Sequence, residues 1–296
     1  MDMGEEIAGG EACGALAELW RYPVKSIRGE PIERATLGER GISGDRVYAV
    51  RDEETGKIAS AKRPRLWGDL LYCHAALTAG PSAADTGAVQ ITLPDGRRVE
   101  SGQEEASIAL SALLARPVRL IAEAPPEPEI ERYWPDIPGL DLRDTVTSGR
   151  IGAGAPRGTF FDFAPIHIVT TASLERMRAL HPSGRVTTSR FRPNLVIAAD
   201  ESEGGWIENA WVGRTLLVGR EARLRVLTPT PRCVVPTLPQ PDAPRDLDIL
   251  RVIAANNHPP IPMLEGKTQP SLGIYAVVER HGAIHRGDTV RLAPDA

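Results

Sequence analysis

The 296-residue chain has little sulfur: its only cysteines are Cys13, Cys73 and Cys233, and no two of them form a CxxC pair. That excludes a disulfide-stapled secreted scaffold and points to a reducing, cytoplasmic setting. It also leaves too few thiolates for the four ligands of an all-cysteine iron–sulfur cluster, so none is expected within the chain. No stretch approaches about 18 uninterrupted apolar residues, so no membrane span is expected. Met1–Gly10 carries Glu5 and Glu6 and has neither a basic start nor an apolar core, so no secretory leader is expected. The net charge of −4 gives no basic field of the kind that gathers nucleic acid.

What is present is a hydrophobic content of 42%, enough for a real core, in a length that suits one large domain or two ordinary ones. Aromatics are 5% of the chain, while proline (26) and glycine (28) are plentiful. That balance favours many short strands and turns over long helices.

Residues 1–14 read as a loose, acidic, Gly-rich tail. A strand pattern starts at Leu16–Tyr22, and Arg46–Arg51 alternates polar and apolar residues. Val89–Leu93, the turn Pro94-Asp95-Gly96, and Arg97–Glu100 form a hairpin signal. A helix is expected over Glu104–Ala115. Residues 122–158 hold six prolines and five glycines, too irregular for packed secondary structure, and read as an interdomain connection or an active-site loop. Strands follow at Ile166–Val169, Asn194–Ala198, Leu216–Val218 and Ala222–Leu227, and later at Ile274–Glu279 and Thr289–Leu292. Thr170 or Thr171 suits the cap of a helix over Ala172–Leu180, and Asp246 the cap of a second amphipathic helix.

The most telling local feature is Cys233 in Thr228-Pro229-Thr230-Pro231-Arg232-Cys233. Pro229, Pro231 and Pro236 fix the backbone around it. The adjacent guanidinium of Arg232 favours the thiolate, the form that attacks carbon or binds a soft metal. Taken alone, a lone cysteine is more often a small buried hydrophobe. Five polar clusters fall at strand ends or turns: Lys25-Ser26, Arg46, Lys62-Arg63 with Arg65, Arg190-x-Arg192-Pro193-Asn194, and Arg232-Cys233. Guanidinium forks and hydroxyls gathered this way match phosphate oxygens. A thiolate beside an anion pocket suits a cofactor with a phosphate tail and a soft metal at its other end.

Tyr22-Pro23-Val24-Lys25-Ser26, Gly44-Asp45-Arg46 and Arg63-Pro64-Arg65-Leu66 resemble the N-terminal β-barrel domain that precedes MOSC domains (molybdenum cofactor sulfurase C-terminal domains). Ala172-Ser173-Leu174, Arg190-Phe191-Arg192-Pro193-Asn194-Leu195-Val196, Pro231-Arg232-Cys233 and Leu272-Gly273-Ile274-Tyr275 resemble the MOSC domain itself. The pattern is similar to that of the amidoxime-reducing branch of the family and runs from about Leu16 to Leu292.

The resemblance implies a mainly β (α+β) protein with a few short helices. Residues 15–121 would form the N-terminal MOSC β-barrel domain, 122–158 the Pro/Gly-rich connection and 159–296 the MOSC β-barrel domain. It implies a molybdenum cofactor (Mo-molybdopterin) between the two, with Cys233 as metal ligand and catalytic centre. Lys25, Ser26 and Arg46, with Arg63, would hold the phosphate end. Arg190, Arg192 and Asn194 would bind the pterin, Thr170 and Thr171 would supply polar support, and Arg232 would support the cysteine backbone. Asp162 either orients substrate or closes a turn, and His258 ends a helix.

The implied reaction is two-electron reduction of a small N-oxygenated substrate, with electrons from a separate donor protein, since the chain carries no cysteine cluster of its own. Some MOSC proteins move sulfur instead. A Cys233 persulfide, loaded by a sulfur donor, fits the same residues, as does a non-catalytic cofactor-binding module. Prolines 236, 239, 241 and 244 after Cys233 depart from the family pattern in the segment that would shape the substrate pocket.

Overall fold

The structure, a computed structural model, describes residues 10–78, 87–138, 140, 142–199 and 204–294. Seven strands carry the larger core: β1 (Glu11–Arg21), β2 (Ile166–Thr170), β3 (Leu195–Ala198), β4 (Thr215–Val218), β5 (Ala222–Pro231), β6 (Ser271–Arg280) and β7 (Thr289–Leu292). Their order is β3-β2-β6-β5-β4-β7-β1, and β1 pairs back onto β3, so the sheet closes into a barrel. All pairings in the ring are antiparallel except β2 with β3.

The barrel closes because most of its strands offer an apolar pair two residues apart, which the strand period turns to one side. Ile166 and Ile168, Leu195 and Ile197, Leu216 and Val218, Leu224 and Val226, Ile274 and Ala276, and Val290 and Leu292 meet in one buried cluster. Strand β5 shows the alternation plainly: Ala222, Leu224 and Val226 are buried while Arg223 and Arg225 are exposed. It continues through Pro229 and Pro231, beyond the expected end at Leu227. Register shifts on either side of these prolines absorb the missing donors.

A second core gathers Val24, Ile27, Trp67, Leu70, Cys73, Ile91, Leu93 and Leu110. Around it lie the strands Ala49–Asp52 and Val118–Ile121, a sheet of His74–Leu77, Val89–Thr92 and Arg98–Glu100, and the helix Glu104–Leu114. Strands make up 37% of the chain and helices 20%, which fixes the mainly β class expected from composition. The helix Thr171–Leu180 is capped by Thr170, whose Oγ1 accepts from Ser173 N at 3.1 Å. Asp246 accepts from Asp248 N at 3.0 Å and so opens the helix Asp248–Asn256.

Two segments differ from the sequence reading. In the stretch read as a loose tail, residues 1–9 lie outside the described residues, but Glu11–Gly14 already belong to β1. Gly14 there is a close approach: at φ +141° a Cβ would sit 2.2 Å from the Ala198 carbonyl oxygen. In 122–158, Glu129–Trp134 and Thr145–Arg150 pair as an antiparallel ribbon. All six prolines fall outside those two strands, so none removes a ribbon hydrogen bond.

The two cores are interlaced. β1 lies between β3 and β7, and the late strand Gly282–His285 pairs with the early strand Arg34–Gly38. Among the described residues no helix is long and apolar enough to cross a membrane.

Candidate functional site

Where the two cores meet, a cleft that opens to solvent is bounded by residues from both. Lys25, Ser26, Arg46 and Lys62 come from the first core's side, and Arg192, Arg232 and Cys233 from the barrel's. Five cationic side chains line it against one carboxylate, Asp162. Such an excess in a partly buried space is costly unless an anion shares it.

The backbone is strained in the same place. Ser26 (φ 65°), Arg46 (φ 49°) and Arg192 (φ 56°) all sit in the left-handed region. Each costs a non-glycine residue about 1–3 kcal/mol, and such conformations gather at ligand sites. The chain is held there by a network. Asp45 accepts from Tyr22 N (2.7 Å) and from Asn194 Nδ2 (3.0 Å), and pairs with Arg46. Arg46 also donates to Asn194 Oδ1 at 3.2 Å, and that same oxygen accepts from His167 N at 3.2 Å. The Arg46 and Arg192 guanidiniums both lie over the Tyr22 ring, 4.9 and 4.4 Å from its centroid. Arg192 Nη2 donates to Ile27 O at 2.8 Å, tying the barrel to the first core.

Lys25 is buried, donating to Phe160 O (2.8 Å) and Asp162 Oδ1 (2.7 Å), while Lys62 reaches Asp162 Oδ2 at 3.2 Å. Burial lowers the Lys25 pKa to about 8 against the pull of Asp162. Burial would raise Asp162, but Lys25 and Lys62 overcome it and hold the carboxyl well below its ordinary range. Burial and then the neighbouring Arg232 push His167 well below its usual value, so the ring is neutral at pH 7. Its Nε2 lies 3.4 Å from Arg232 Nη1. Burial, with the charge of Asp162, raises Tyr275, which keeps its phenol protonated.

Cys233 is half-buried and packs against Ala61, Leu71, Val234, Val235 and Leu238. Arg232 donates to Phe191 O at 3.2 Å, and its Nε, like Thr230 Oγ1, is buried with no hydrogen-bond partner among the described residues. Cys73 is fully buried in the first core, and burial raises it to about 12. Cys13 packs on the barrel core and is raised by burial to about 11.

Of the residues singled out in the sequence, Lys25, Ser26, Arg46, Arg192, Arg232 and Cys233 are brought together at the cleft. Asn194 stands behind it as the hub of the Asp45–Arg46 network. Arg190 does not reach it. That side chain is wholly buried and donates to the carbonyls of Arg185, Pro236, Leu238 and Pro244 at 2.6, 2.8, 3.4 and 2.7 Å. Arg63 turns to the ribbon, 3.6 Å from Glu131. Thr170 donates to buried Glu208 at 2.7 Å, and Thr171 accepts from Ala199 N at 3.2 Å. His258 bonds the Ala254 carbonyl at a helix end.

His167 and Ser60 line the cleft without having been singled out, Tyr275 appeared only within a motif, and Lys62 only as one member of a cluster. For His167 a signal existed: it is the one polar side chain in Ile166-His167-Ile168-Val169.

Two family models match the chain, the MOSC domain over residues 155–291 and the MOSC N-terminal beta barrel domain over residues 13–114. The chain is similar to mitochondrial amidoxime-reducing component 1 of Homo sapiens, 28% identical over 305 residues that cover 94% of this chain and 83% of that protein. It is also similar to mitochondrial amidoxime reducing component 2 of Homo sapiens, 25% identical over 300 residues, with the same coverage of 94% and 83%. Among solved structures, the YUAD protein from Bacillus subtilis aligns over 94% of both chains at 14% identity with a TM-score of 0.44.

Proposed function

We propose that this chain, which belongs to the MOSC-domain proteins with an N-terminal MOSC β-barrel, is a molybdenum-cofactor-dependent oxidoreductase that reduces N-hydroxylated substrates. The observation that carries this reading is a cleft with five cations and one carboxylate that has a half-buried thiol on its wall. The similarity to proteins named amidoxime-reducing components supports N-reduction at the level of the family.

The residues fit such a cofactor. Among the described residues no three His, Cys, Asp or Glu side chains cluster to cage a metal. A metal here would therefore bring most of its ligands with it and take one thiolate from the protein, as a dithiolene-bound metal does. Lys25, Ser26 and Arg46 would hold the phosphate, Arg192 the pterin, and Cys233 the metal. The orphaned Arg232 Nε and Thr230 Oγ1 offer a donor and a hydroxyl to a ligand in the cleft. When bound, the cofactor supplies the two-electron redox chemistry.

The chain's own contribution is position and charge. Pro229, Pro231 and Pro236 fix the direction of the Cys233 thiol. Neutral His167 braces Arg232 without adding charge, and Asn194 sets Arg46 from behind. Tyr275 and Lys62 hold protons at neutral pH at the side of the cleft. The overall reaction consumes two electrons and two protons, breaks one N–O bond, and yields the N–H product and water. The electrons would come from a separate donor protein.

The test is metal analysis of protein from a host that makes the cofactor. Stoichiometric molybdenum is expected in the wild type and none in Cys233→Ala, with an unchanged melting temperature. Absence of molybdenum from both sinks the reading. A persulfide on Cys233 of molybdenum-free protein would put sulfur transfer in its place.

A further inference from the structure

Asp162 is the one carboxylate on the wall of the cleft, and charge alone makes it a misfit, because a carboxylate repels any anion bound beside it. Its surroundings fix it there from both sides. Phe160 and Phe161 before it are buried, Phe160 among Ala49, Ile58, Ile130 and Ile151. Phe163 after it packs on Tyr275, with ring centroids 5.4 Å apart, and the Asp162 carbonyl accepts from Gly152 N at 3.2 Å.

The carboxylate so held is shared. Its Oδ1 accepts from Lys25 Nζ at 2.7 Å, and its Oδ2 faces Lys62 Nζ at 3.2 Å. Lys25 is only 4% exposed, and an ammonium that deep sheds its proton unless an anion stays beside it. Phe160 O takes a second N–H of Lys25 at 2.8 Å. An ammonium has three, so one is left for a ligand. The charged groups facing Lys25 are Asp162, Lys62 and Arg46, and of these Asp162 alone favours the charged form. Arg46 has its own partner in Asp45. Lys62 works against Lys25 twice, by its like charge and by drawing on the same carboxylate. The charge of Asp162 reaches all five cations of the cleft, and Tyr275 as well.

We propose that Asp162 is the positioning residue of the cleft's anion end: shared between Lys25 and Lys62, its carboxylate keeps Lys25 an ammonium with one N–H to spare, and so promotes the binding of an anion that its own charge would repel. This role rests on the phosphate contact given to Lys25 above and not on molybdenum.

The probe is sulfate, titrated calorimetrically into the cofactor-free full chain from pH 5.5 to pH 9. The wild-type affinity is expected to fall with a midpoint at about pH 8. A neighbouring opposite charge moves a titration by about 1–3 pH units, so in Asp162→Asn the midpoint should drop by at least about one unit. At pH 8 that variant is expected to bind sulfate about fivefold more weakly than the wild type, or worse. At pH 5.5 it should bind at least as tightly, since a repelling charge has gone. Asp162→Glu should restore the wild-type profile. Lys62→Gln, which leaves the carboxylate in place, should move the midpoint up even as it weakens binding at low pH. A purely structural role would lower affinity by one factor at every pH and move neither midpoint.

An Asp162→Asn profile that keeps the wild-type midpoint, or that lies above the wild type at every pH, overturns the proposal. So does a Lys62→Gln midpoint that stays or falls. Wild-type protein that binds no sulfate overturns it together with the phosphate contact of Lys25. Protein that shows the expected profiles but takes up no molybdenum from a cofactor-making host refutes the reductase reading and leaves the role of Asp162 standing.

Discussion

Lys25 offers a sharp test of the cleft because its charge is set to change inside an accessible pH range. Its ordinary value is 10.5, and burial brings it to about 8. At pH 7 about ten Lys25 side chains are charged for each neutral one, and at pH 9 the ratio is roughly reversed. If only the charged form receives an anion, affinity falls about tenfold over those two units, or ~1.4 kcal/mol. The assay is sulfate binding to cofactor-free protein by calorimetry, because sulfate does not titrate in this window. Lys25→Gln should bind more weakly at pH 7 and lose the slope. Lys25→Arg should also lose the slope but keep the affinity. An affinity that is flat from pH 7 to 9 in the wild type would refute the reasoning, as would a slope that survives in Lys25→Gln. The same linkage acts on folding. The native lysine is depressed, so the unfolded chain binds more protons between about pH 8 and 10.5, and stability rises through that interval.

Asp162 gives the opposite limb. Its native value lies below the ordinary 3.8, so its contribution is present above that value and is lost as pH falls through the native one. Urea midpoints at pH 5 and pH 3 should therefore converge in Asp162→Asn. Asp45→Ala removes the acceptor for Tyr22 N and Asn194 and the partner of Arg46. It should cost about 3–5 kcal/mol by urea denaturation. Gly273→Ala places a Cβ 2.5 Å from Ile168 O and 2.6 Å from His167 Nε2 at φ +79°. It should cost about 1–3 kcal/mol in strain alone and weaken sulfate binding by displacing the histidine that braces Arg232.

Local pattern carried the strands well where the apolar alternation was clean, as at Ile166–Thr170 and Thr289–Leu292. It could not say what each strand pairs with. The strand expected at Leu16–Tyr22 runs as Glu11–Arg21, and two of its three partners, Leu195–Ala198 and Thr289–Leu292, lie far along the sequence. The cationic side of the cleft was legible because phosphate-type clusters sit at turns, where Lys25, Arg46 and Arg192 are found. Arg190 and Arg192 looked equivalent, two residues apart in one motif. What separates them is the end of the short helix Thr188–Phe191. Arg190 lies inside that helix and points into the carbonyls of the Pro-rich segment. Arg192, just past its end in the left-handed region, points to the cleft. That distinction is conformational and leaves no compositional mark. Asp162 was open between two readings because its partners, Lys25 and Lys62, come from a part of the chain a hundred or more residues earlier.

The interlacing of the two cores sets a schedule for biosynthesis. Strand β1 emerges first from the ribosome but cannot find its place until β3 and then β7 have been made. At about 5–20 residues per second, that wait is roughly 15 to 55 seconds. Throughout it, an apolar strand has only Glu30–Ile32 beside it, and Lys25 and Arg46 face no opposite wall. The cleft comes into being only with the last strand of the barrel. A cofactor that needs both walls of the cleft would have to wait for that strand.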